Sequence, residues 1–384
     1  MLARQLVPPP SVLPGIDVLR AEGFSRLRGR RVALLTNLAA RTRDGQLTVD
    51  AVRGATGFEL VSLFAPEHGL DATQDTLVAS ARDTRTGLQV HSLYGDVQRP
   101  TPEMLRGLDI ILIDLPDVGA RFYTYMTTMG YVMEEAVKAG VAVMVLDRPN
   151  PINGLSVEGP LLESSLRSHV GYHEMPVRHG LTLGELAQAF NGERGIGATV
   201  SVVAARNWRR ATWFDETGLP WNHPSPNIRN LRAATLYPGV GAIEWSNVSV
   251  GRGTATPFEH VGAPWLDGQR LALTLNARRI PGVQFAGTSF TPDSSVYARE
   301  RCGGVAMTIA DRAVLRPVRT GLEIAAAVWR QHPDRYEFGK TAQLLGSPAA
   351  FEQVRNGEDP AVIAALWTAD EARWRDRRSR YLLY

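Results

Sequence analysis

Residues 60–69 read LVSLFAPEHG, and this stretch predicts both a core strand and a reactive site. The apolar run at its start has the length and the β-branched and aromatic content of a buried strand. Pro66 ends the strand, because proline cannot donate a hydrogen bond to a sheet ladder. Glu67 and His68 follow at once, and Gly69 allows the backbone to turn. An ionisable pair is therefore expected at the carboxyl end of a buried strand, where open α/β sheets bind ligands. The alternative is that Glu67 only caps the following turn.

Three further apolar runs resemble the first, at residues 31–36 (RVALLT), 109–115 (DIILIDL) and 141–146 (VAVMVL). Helical patterns lie between the runs, the clearest at residues 125–139. Alternating strands and helices indicate parallel β/α units, and strands that are apolar throughout are expected to be covered on both faces. The sequence therefore predicts an α/β fold in which these four strands are parallel neighbours.

The pattern of predicted elements changes near residue 255, because strands and helices no longer alternate regularly after it. Helices are predicted at residues 268–278 and 320–330, with strands at 283–288 and 304–309. We therefore predict a catalytic α/β domain over residues 15–255 and a smaller α+β domain over residues 256–384. Residues 70–100 are rich in polar and turn-forming residues, and we expect an active-site loop there.

The composition excludes several classes of function. The chain has 384 residues and a net charge of +3, and its positive charge is almost entirely arginine, since Lys138 and Lys340 are the only lysines. The arginine clusters are short and are interpreted as solvated faces, so no nucleic-acid partner is expected. No apolar run approaches the ~18 residues of a membrane span, and no secretory signal is visible. With the single cysteine Cys302 no internal disulfide can form. We expect a cytoplasmic protein with no membrane partner.

Polar side chains follow all four predicted strands: Asn37 after the first, Glu67 and His68 after the second, Asp114 and Asp117 at the third, and Asp147, Arg148 and Asn150 after the fourth. The carboxyl ends of parallel strands meet at one edge of a sheet, so these groups are expected to form one functional crevice. The alternative is that each side chain caps a turn on its own.

No cofactor is predicted for this crevice, because the sequence contains neither a dinucleotide-binding fingerprint nor a P-loop. His68 and the aspartates could ligate a metal ion, but their spacing matches no known metal motif. Aromatic residues with polar tips suit the faces of sugars, but most of the aromatic residues in the middle of the chain are expected to be core residues. Further candidates for ligand binding lie in segments rich in aromatic, glycine or small polar residues: Arg121, Tyr123, Tyr125, His179, Asn227, Asn247 and Arg252.

Seven segments, in order along the chain, resemble the exo-lytic β-N-acetylmuramidases: APEHG (65–69), DLPDVGARFYTY (114–125), DRPNPING (147–154), RHGLTLGE (178–185), PSPN (224–227), SNVSVGRGT (246–254) and the terminal YLLY. The resemblance implies a Rossmann-like domain with a smaller auxiliary domain. It also implies a cell-wall glycosidase that releases N-acetylmuramic acid (MurNAc) from the non-reducing end of peptidoglycan-derived disaccharides or muropeptides. Glu67 would be its leading catalytic carboxylate. Many members of that family are secreted.

Glycoside hydrolysis usually requires two carboxyl groups, one as acid and one as base or nucleophile. Glu67 is the candidate acid. Three residues are candidates for the second role: Asp114, Asp117 and Glu244. Three arginines are candidates for binding the lactyl carboxylate of MurNAc: Arg121, Arg148 and Arg252. Two alternatives remain open, a non-catalytic muropeptide-binding or sensor protein and a metal-dependent hydrolase.

Overall fold

Seven strands form the larger sheet of this computed structural model, which describes residues 11–73 and 78–384. The strands are β1 (Arg31–Thr36), β2 (Glu59–Ala65), β3 (Ala81–Arg82), β4 (Gln89–Ser92), β5 (Ile110–Asp114), β6 (Ala142–Leu146) and β7 (Val200–Val203), in the order β3-β4-β2-β1-β5-β6-β7. Only β3 is antiparallel to its neighbour. The prediction of four parallel neighbouring strands is confirmed. Residues 74–77 of the predicted loop at 70–100 lie outside the described residues.

Helices cover both faces of this sheet, as the apolar strands predict. Leu34 of β1 is in register with Leu63 of β2 and Leu112 of β5, and all three are fully buried in one cluster with Leu19. The alternate residue Leu35 belongs to the cluster on the opposite face. Each leucine buried in this way contributes about 1.5–3 kcal/mol of hydrophobic stabilisation.

Twelve helices are described: α1 (Gly15–Ala21), α2 (Thr48–Arg53), α3 (Pro102–Leu105), α4 (Tyr125–Ala139), α5 (Leu183–Glu193), α6 (Leu231–Val240), α7 (Gly268–Ala277), α8 (Pro317–Gln331), α9 (Thr341–Leu345), α10 (Pro348–Arg355), α11 (Pro360–Leu366) and α12 (Thr368–Arg378). Helix α4 spans the predicted residues and ends at Gly140, whose φ of 69° is the left-handed conformation of a helix C-cap. Helix α5 begins at a capping box formed by Thr182 and Glu185.

The C-terminal part is built on a second sheet of three antiparallel strands, β8 (His260–Ala263), β9 (Val283–Phe290) and β10 (Cys302–Ile309), in the order β8-β10-β9. Helix α7 packs against β9 and β10, and α8 packs against α7. The predicted fold class, a Rossmann-like parallel sheet with a smaller α+β part, is confirmed. The boundary near residue 255 stays a prediction.

Helix α6 is absent from the sequence-based assignment because Pro238 lies inside it and Gly239 follows, and both residues disfavour helices. The glycine is required by packing. A Cβ atom at Gly239 would lie 1.7 Å from the carbonyl oxygen of Pro317 at the start of α8. The close approach of α6 and α8 therefore accounts for a residue that a local rule treats as a helix breaker.

Candidate active site

The turn after β2 carries Glu67 and His68 into a cavity. The amide of Gly69 donates to the carbonyl oxygen of Pro66 at 3.0 Å, which closes the turn. His68 has a φ of 71°, a left-handed conformation that glycine or asparagine adopts more readily. Such backbone strain costs about 1–3 kcal/mol and clusters at functional sites. Glu67 and His68 both line the pocket beside this turn.

Thr124, the N-cap residue of α4, fixes the carboxylate of Glu67. Its hydroxyl Oγ1 donates to Glu67 Oε2 at 2.6 Å. Within residues 11–73 and 78–384, no group donates a hydrogen bond to the second oxygen, Oε1. One oxygen of the carboxyl group is therefore anchored by the protein, and the other can exchange a proton with a ligand.

Two cavities meet at Glu67. The inner pocket has a volume of about 40 Å³ and is lined in part by His68, Tyr123 and Asn227. The open cleft has a volume of about 410 Å³, and its walls include Tyr94, His169, Glu244 and Trp245. Five residues are shared by both cavities: Glu67, Phe122, Thr124, Tyr237 and Arg252. Glu67 therefore lies at the junction of a narrow recess and a cleft large enough for a sugar ring.

An ion pair between Arg252 and Glu244 lines the open cleft together with Glu67. Nε of Arg252 donates to Oε1 of Glu244, and the Arg252 guanidinium lies 5.3 Å from the centre of the Phe258 ring. Tyr237 lies beside this pair. Burial, followed by the nearby Glu244 carboxylate, raises the pKa of Tyr237, so its hydroxyl stays protonated and can donate.

Asp114, at the end of β5, binds side chains of the protein itself. Its oxygens accept from Nε and Nη2 of Arg148 at 2.5 and 2.8 Å, and from the Thr48 hydroxyl at 2.6 Å. The Asp114 side chain is fully buried. This two-point ion pair holds β5, α2 and the segment after β6 together, and Asp114 lines neither cavity at Glu67.

Asp117 lines a different cavity from Glu67. Its Oδ2 accepts from the Gly119 amide at 2.8 Å and lies 3.7 Å from His179 Nε2, whereas Oδ1 has no partner among the described residues. Burial raises the pKa of Asp117 to about 7 and lowers that of His179 to about 3. Asp117 and Arg148 line a separate cavity of about 50 Å³, so the four strand ends do not share one crevice.

Hydrogen bonds within the protein hold the wall between the Asp117 cavity and the inner pocket. Asn37 Nδ2 donates to the Tyr125 hydroxyl at 3.0 Å, and that hydroxyl donates to the Pro224 carbonyl oxygen at 2.6 Å. Pro224 lines the Asp117 cavity, whereas Ser225 lines the inner pocket. Asn37 and Tyr125 therefore hold the wall in place and do not line the Glu67 cavities.

Asp147 and Asn150, which follow β6, are also bound by the chain itself. Asp147 accepts from Thr182 Oγ1 at 2.6 Å, from the Gly184 amide at 2.8 Å and from the hydroxyl of the terminal residue Tyr384 at 2.6 Å. Burial raises the pKa of Asp147 to about 6. Asn150 donates to the Leu181 carbonyl oxygen at 2.9 Å. These contacts anchor α5 and the end of the chain to the sheet.

Arg121 and Asn247 make structural contacts of a similar kind. The guanidinium of Arg121 is fully buried and donates to three carbonyl oxygens, those of Pro160, Met175 and Leu344. Asn247 donates to the Arg335 carbonyl oxygen at 2.7 Å and accepts from the Glu337 amide at 2.8 Å. Arg121 connects the two parts of the chain, and Asn247 binds the segment between α8 and α9.

Several cavity residues were not identified as site residues from the sequence: Tyr94, Phe122, Thr124, His169, Tyr237 and Trp245. Phe122 and Thr124 fall within the segment DLPDVGARFYTY, so that motif carried a usable signal. His169 has no such signal. Its ring lies 6.0 Å from the rings of both Tyr94 and Tyr131, and burial lowers its pKa.

No helix in the described part of the chain is both long and apolar enough to cross a membrane. A search of residues 11–73 and 78–384 for groups of three or more histidine, cysteine, aspartate or glutamate side chains able to hold a metal ion found none. Together, the fold and the cleft define a two-part α/β protein with a glutamate at the junction of a small pocket and an open cleft, and the cleft is large enough for a sugar.

Comparison with known proteins identifies the family. Models of the N-terminal and C-terminal domains of the exo-beta-N-acetylmuramidase NamZ match residues 32–232 and 235–384. The chain belongs to this family, which confirms the resemblance seen in its motifs. It is 40% identical over 380 residues to the peptidoglycan beta-N-acetylmuramidase NamZ of Bacillus subtilis (strain 168), an alignment that covers 98% of this chain and 92% of the relative.

Two solved structures share the fold, and both are DUF1343 family proteins from Bacteroides fragilis NCTC 9343. The first has a TM-score of 0.90 and 34% identity, and the second a TM-score of 0.80 and 29% identity. Each comparison covers 97% of this chain and 99% of the other. The two-part architecture therefore occurs as a whole in these relatives.

Proposed function

We propose that this protein is an exo-acting β-N-acetylmuramidase that releases MurNAc from the non-reducing end of peptidoglycan-derived disaccharides or muropeptides. Family membership supports the activity. The observation that carries the assignment of the acid is the position of Glu67, which lies at the junction of the inner pocket and the open cleft. A catalytic carboxyl group must reach the bond between two sugars, and a junction gives it access to both sides.

Glu67 acts as the general acid in this mechanism. It donates a proton to the glycosidic oxygen as the bond to the MurNAc anomeric carbon breaks. The Thr124 hydroxyl bonded to Oε2 restricts rotation of the carboxyl group, and Oε1 accepts no hydrogen bond from the described residues. Restricting rotation in this way supports catalysis, because a catalytic group must be held close to its productive geometry.

Glu244 is proposed for the second carboxylate role, because it lines the same open cleft as Glu67. Its ion pair with Arg252 holds the carboxylate in place in the cleft, where it can serve as a base, a nucleophile or a stabiliser of an oxocarbenium-like transition state. Asp114 and Asp117, the other two candidates, line neither of the cavities at Glu67.

Arg252 is proposed to bind the lactyl carboxylate that distinguishes MurNAc from N-acetylglucosamine (GlcNAc). It is shared by both cavities, and the inner pocket, at about 40 Å³, fits a substituent better than a whole sugar. A guanidinium can bind a carboxylate through two parallel hydrogen bonds. The substrate carboxylate would then bind beside the existing pair of Arg252 and Glu244.

The test is to incubate the protein with the MurNAc-GlcNAc disaccharide and follow the release of MurNAc by mass spectrometry. Wild-type protein should release MurNAc, and Glu67→Gln should do so far more slowly. Saturable binding of the disaccharide by the wild-type protein without release would contradict the proposal and would favour a muropeptide-binding or sensor protein.

A further inference from the structure

Trp245 is the most exposed tryptophan among the described residues, with 39% of its surface accessible. Five other tryptophans donate their indole N–H to an oxygen of the protein: Trp208, Trp221, Trp265, Trp329 and Trp374. No such bond is made by Trp245 to any residue that the structure describes. Since a large apolar ring is ordinarily buried, the exposure of this indole requires an explanation.

The backbone at Trp245 is held in place even though its side chain is exposed. Its carbonyl oxygen accepts from the Lys340 amide at 3.2 Å, and the next residue, Ser246, donates to the Ile243 carbonyl oxygen through both its amide and its hydroxyl. Gly339 packs closely against the same carbonyl, where a Cβ atom would lie 2.1 Å from the oxygen. The protein therefore presents the indole from a fixed position.

Trp245 lines the open cleft with Glu67 and does not line the inner pocket. In an exo-acting glycosidase the terminal sugar ends in a recess, whereas the remainder of the substrate must continue outward from the scissile bond. Because the inner pocket takes only the lactyl substituent of that sugar, the leaving group must continue outward through the open cleft. The assignment of the open cleft to the leaving group rests on the proposed function.

We propose that Trp245 is a stacking platform for the leaving-group sugar, the pyranose on the reducing side of the scissile bond. One face of a pyranose consists largely of C–H groups and matches the flat indole ring, while the indole N–H can donate to a hydroxyl or acetamido oxygen. Trp245 thereby selects for a sugar leaving group, and Glu67 protonates the oxygen that connects it to MurNAc.

The experiment compares two substrates on Trp245→Ala: the MurNAc-GlcNAc disaccharide and the methyl β-glycoside of MurNAc, whose leaving group has no ring to stack. For the disaccharide, kcat/KM should fall by about 10- to 100-fold, the usual range for loss of one aromatic stacking contact. Most of that loss should appear as a higher KM. The loss on the methyl glycoside should be at least ~10-fold smaller, because that substrate does not reach the platform.

Two variants serve as controls. Trp245→Phe keeps an aromatic face and should recover most of the disaccharide activity. Leu273→Ala removes a large exposed apolar side chain from α7, outside both cavities, and should leave both substrates unaffected. Melting temperatures would verify that each variant is folded.

The outcomes separate this inference from the proposed function. If the losses of Trp245→Ala on the two substrates agree within about a factor of two, the usual error of such comparisons, the platform is ruled out and the muramidase activity stands. If the loss of kcat/KM on the disaccharide exceeds the loss on the methyl glycoside by more than a factor of about two, the platform is supported. A wild-type protein that cleaves neither substrate would contradict the proposed function and this inference together.

Discussion

The hydroxyl of Thr124 donates to Oε2 of Glu67 across 2.6 Å. This bond connects Thr124, directly before α4, to Glu67, the second residue after β2, and the two residues are 57 positions apart in the sequence. The orientation of the proposed acid therefore depends on how α4 packs against the sheet as well as on the turn that carries Glu67.

The first prediction tests this bond with Thr124→Val, which keeps the shape of the side chain and removes its hydroxyl. We expect kcat to fall by about 10- to 100-fold, the equivalent of one hydrogen bond to a charged group. KM should change less than kcat, since the hydroxyl contacts Glu67. Steady-state kinetics on the disaccharide measure both quantities.

Thr124→Ser is the matched control, because it retains the hydroxyl and should restore most of kcat. Equal losses in the valine and serine variants would assign the effect to packing against the threonine methyl group. An unchanged kcat in the valine variant would show that the bond has no role in positioning Glu67.

The strands of the larger sheet could be predicted from the sequence because each is a continuous apolar run bounded by turn residues. Residues 31–36 form β1 as predicted, and residues 125–139 form α4 with its glycine C-cap. Helix α6 could not be predicted, since the reason for Pro238 and Gly239 is a contact with α8, which is distant in the sequence. Local rules fail where a distant element determines the residue.

The second prediction concerns the preference for MurNAc. The wild-type protein should strongly prefer MurNAc over GlcNAc at the non-reducing end, because a site built for a charged group binds poorly when that group is missing. Arg252→Gln should reduce the ratio of the two kcat/KM values by at least ~10-fold, mainly through a loss on the MurNAc substrate. Competing hydrolysis of the two disaccharides measures the ratio.

Arg148→Gln is the comparison for this prediction, since Arg148 is bound to Asp114 and lines a different cavity. Its folded fraction should retain the wild-type preference. A wild-type protein that hydrolyses both sugars at equal rates, or an Arg252→Gln variant with an unchanged ratio, would remove the basis for assigning the lactyl carboxylate to Arg252.

The third prediction concerns the buried ion pair of Asp114 and Arg148. Arg148→Met should lower the free energy of unfolding by about 3–5 kcal/mol, because it leaves a fully buried carboxylate without its cation. Urea denaturation measures this change. Lys138→Met serves as the control, since Lys138 is largely exposed in its pair with Glu135 and should cost less than about 1 kcal/mol. Similar costs for the two variants would contradict a structural role for the buried pair.

The fourth prediction is a pH dependence of stability caused by Asp117, whose pKa burial raises to about 7. The unfolded carboxyl titrates near pH 3.9, so between about pH 4 and pH 7 the folded protein binds more protons than the unfolded chain. The contribution of Asp117 to stability is therefore fully present at low pH and is lost as the pH rises toward 7.

Asp117→Asn removes this titration and keeps an oxygen for the Gly119 amide. The variant should gain stability relative to wild type as the pH rises from 5 to 8, with a slope of at most ~1.4 kcal/mol per pH unit. Denaturation at pH 5 and pH 8 measures the difference. If the difference in stability between wild type and Asp117→Asn is the same at pH 5 and pH 8, Asp117 is excluded as the source of the pH dependence.

The candidate site could be predicted only in part, for a physical reason. Glu67 and His68 were found because a proline, a glycine and a buried strand flank them within ten residues. The polar ends of the other strands have the same local pattern, but Asp114 and Asp147 bind groups of the protein itself. Whether a polar strand end binds a ligand or the chain depends on neighbours such as Arg148 and Tyr384, which no local pattern reveals.

The most direct test of the central claim is Glu67→Gln measured on two substrates, the natural disaccharide and an aryl MurNAc glycoside with an activated leaving group. If Glu67 is the general acid, the rate on the disaccharide should fall by about 10²–10⁴-fold. The loss on the aryl glycoside should be much smaller, because that leaving group needs little protonation. An equal and severe loss on both substrates would indicate a nucleophile or base instead, and near-wild-type rates on both would contradict any catalytic role for Glu67.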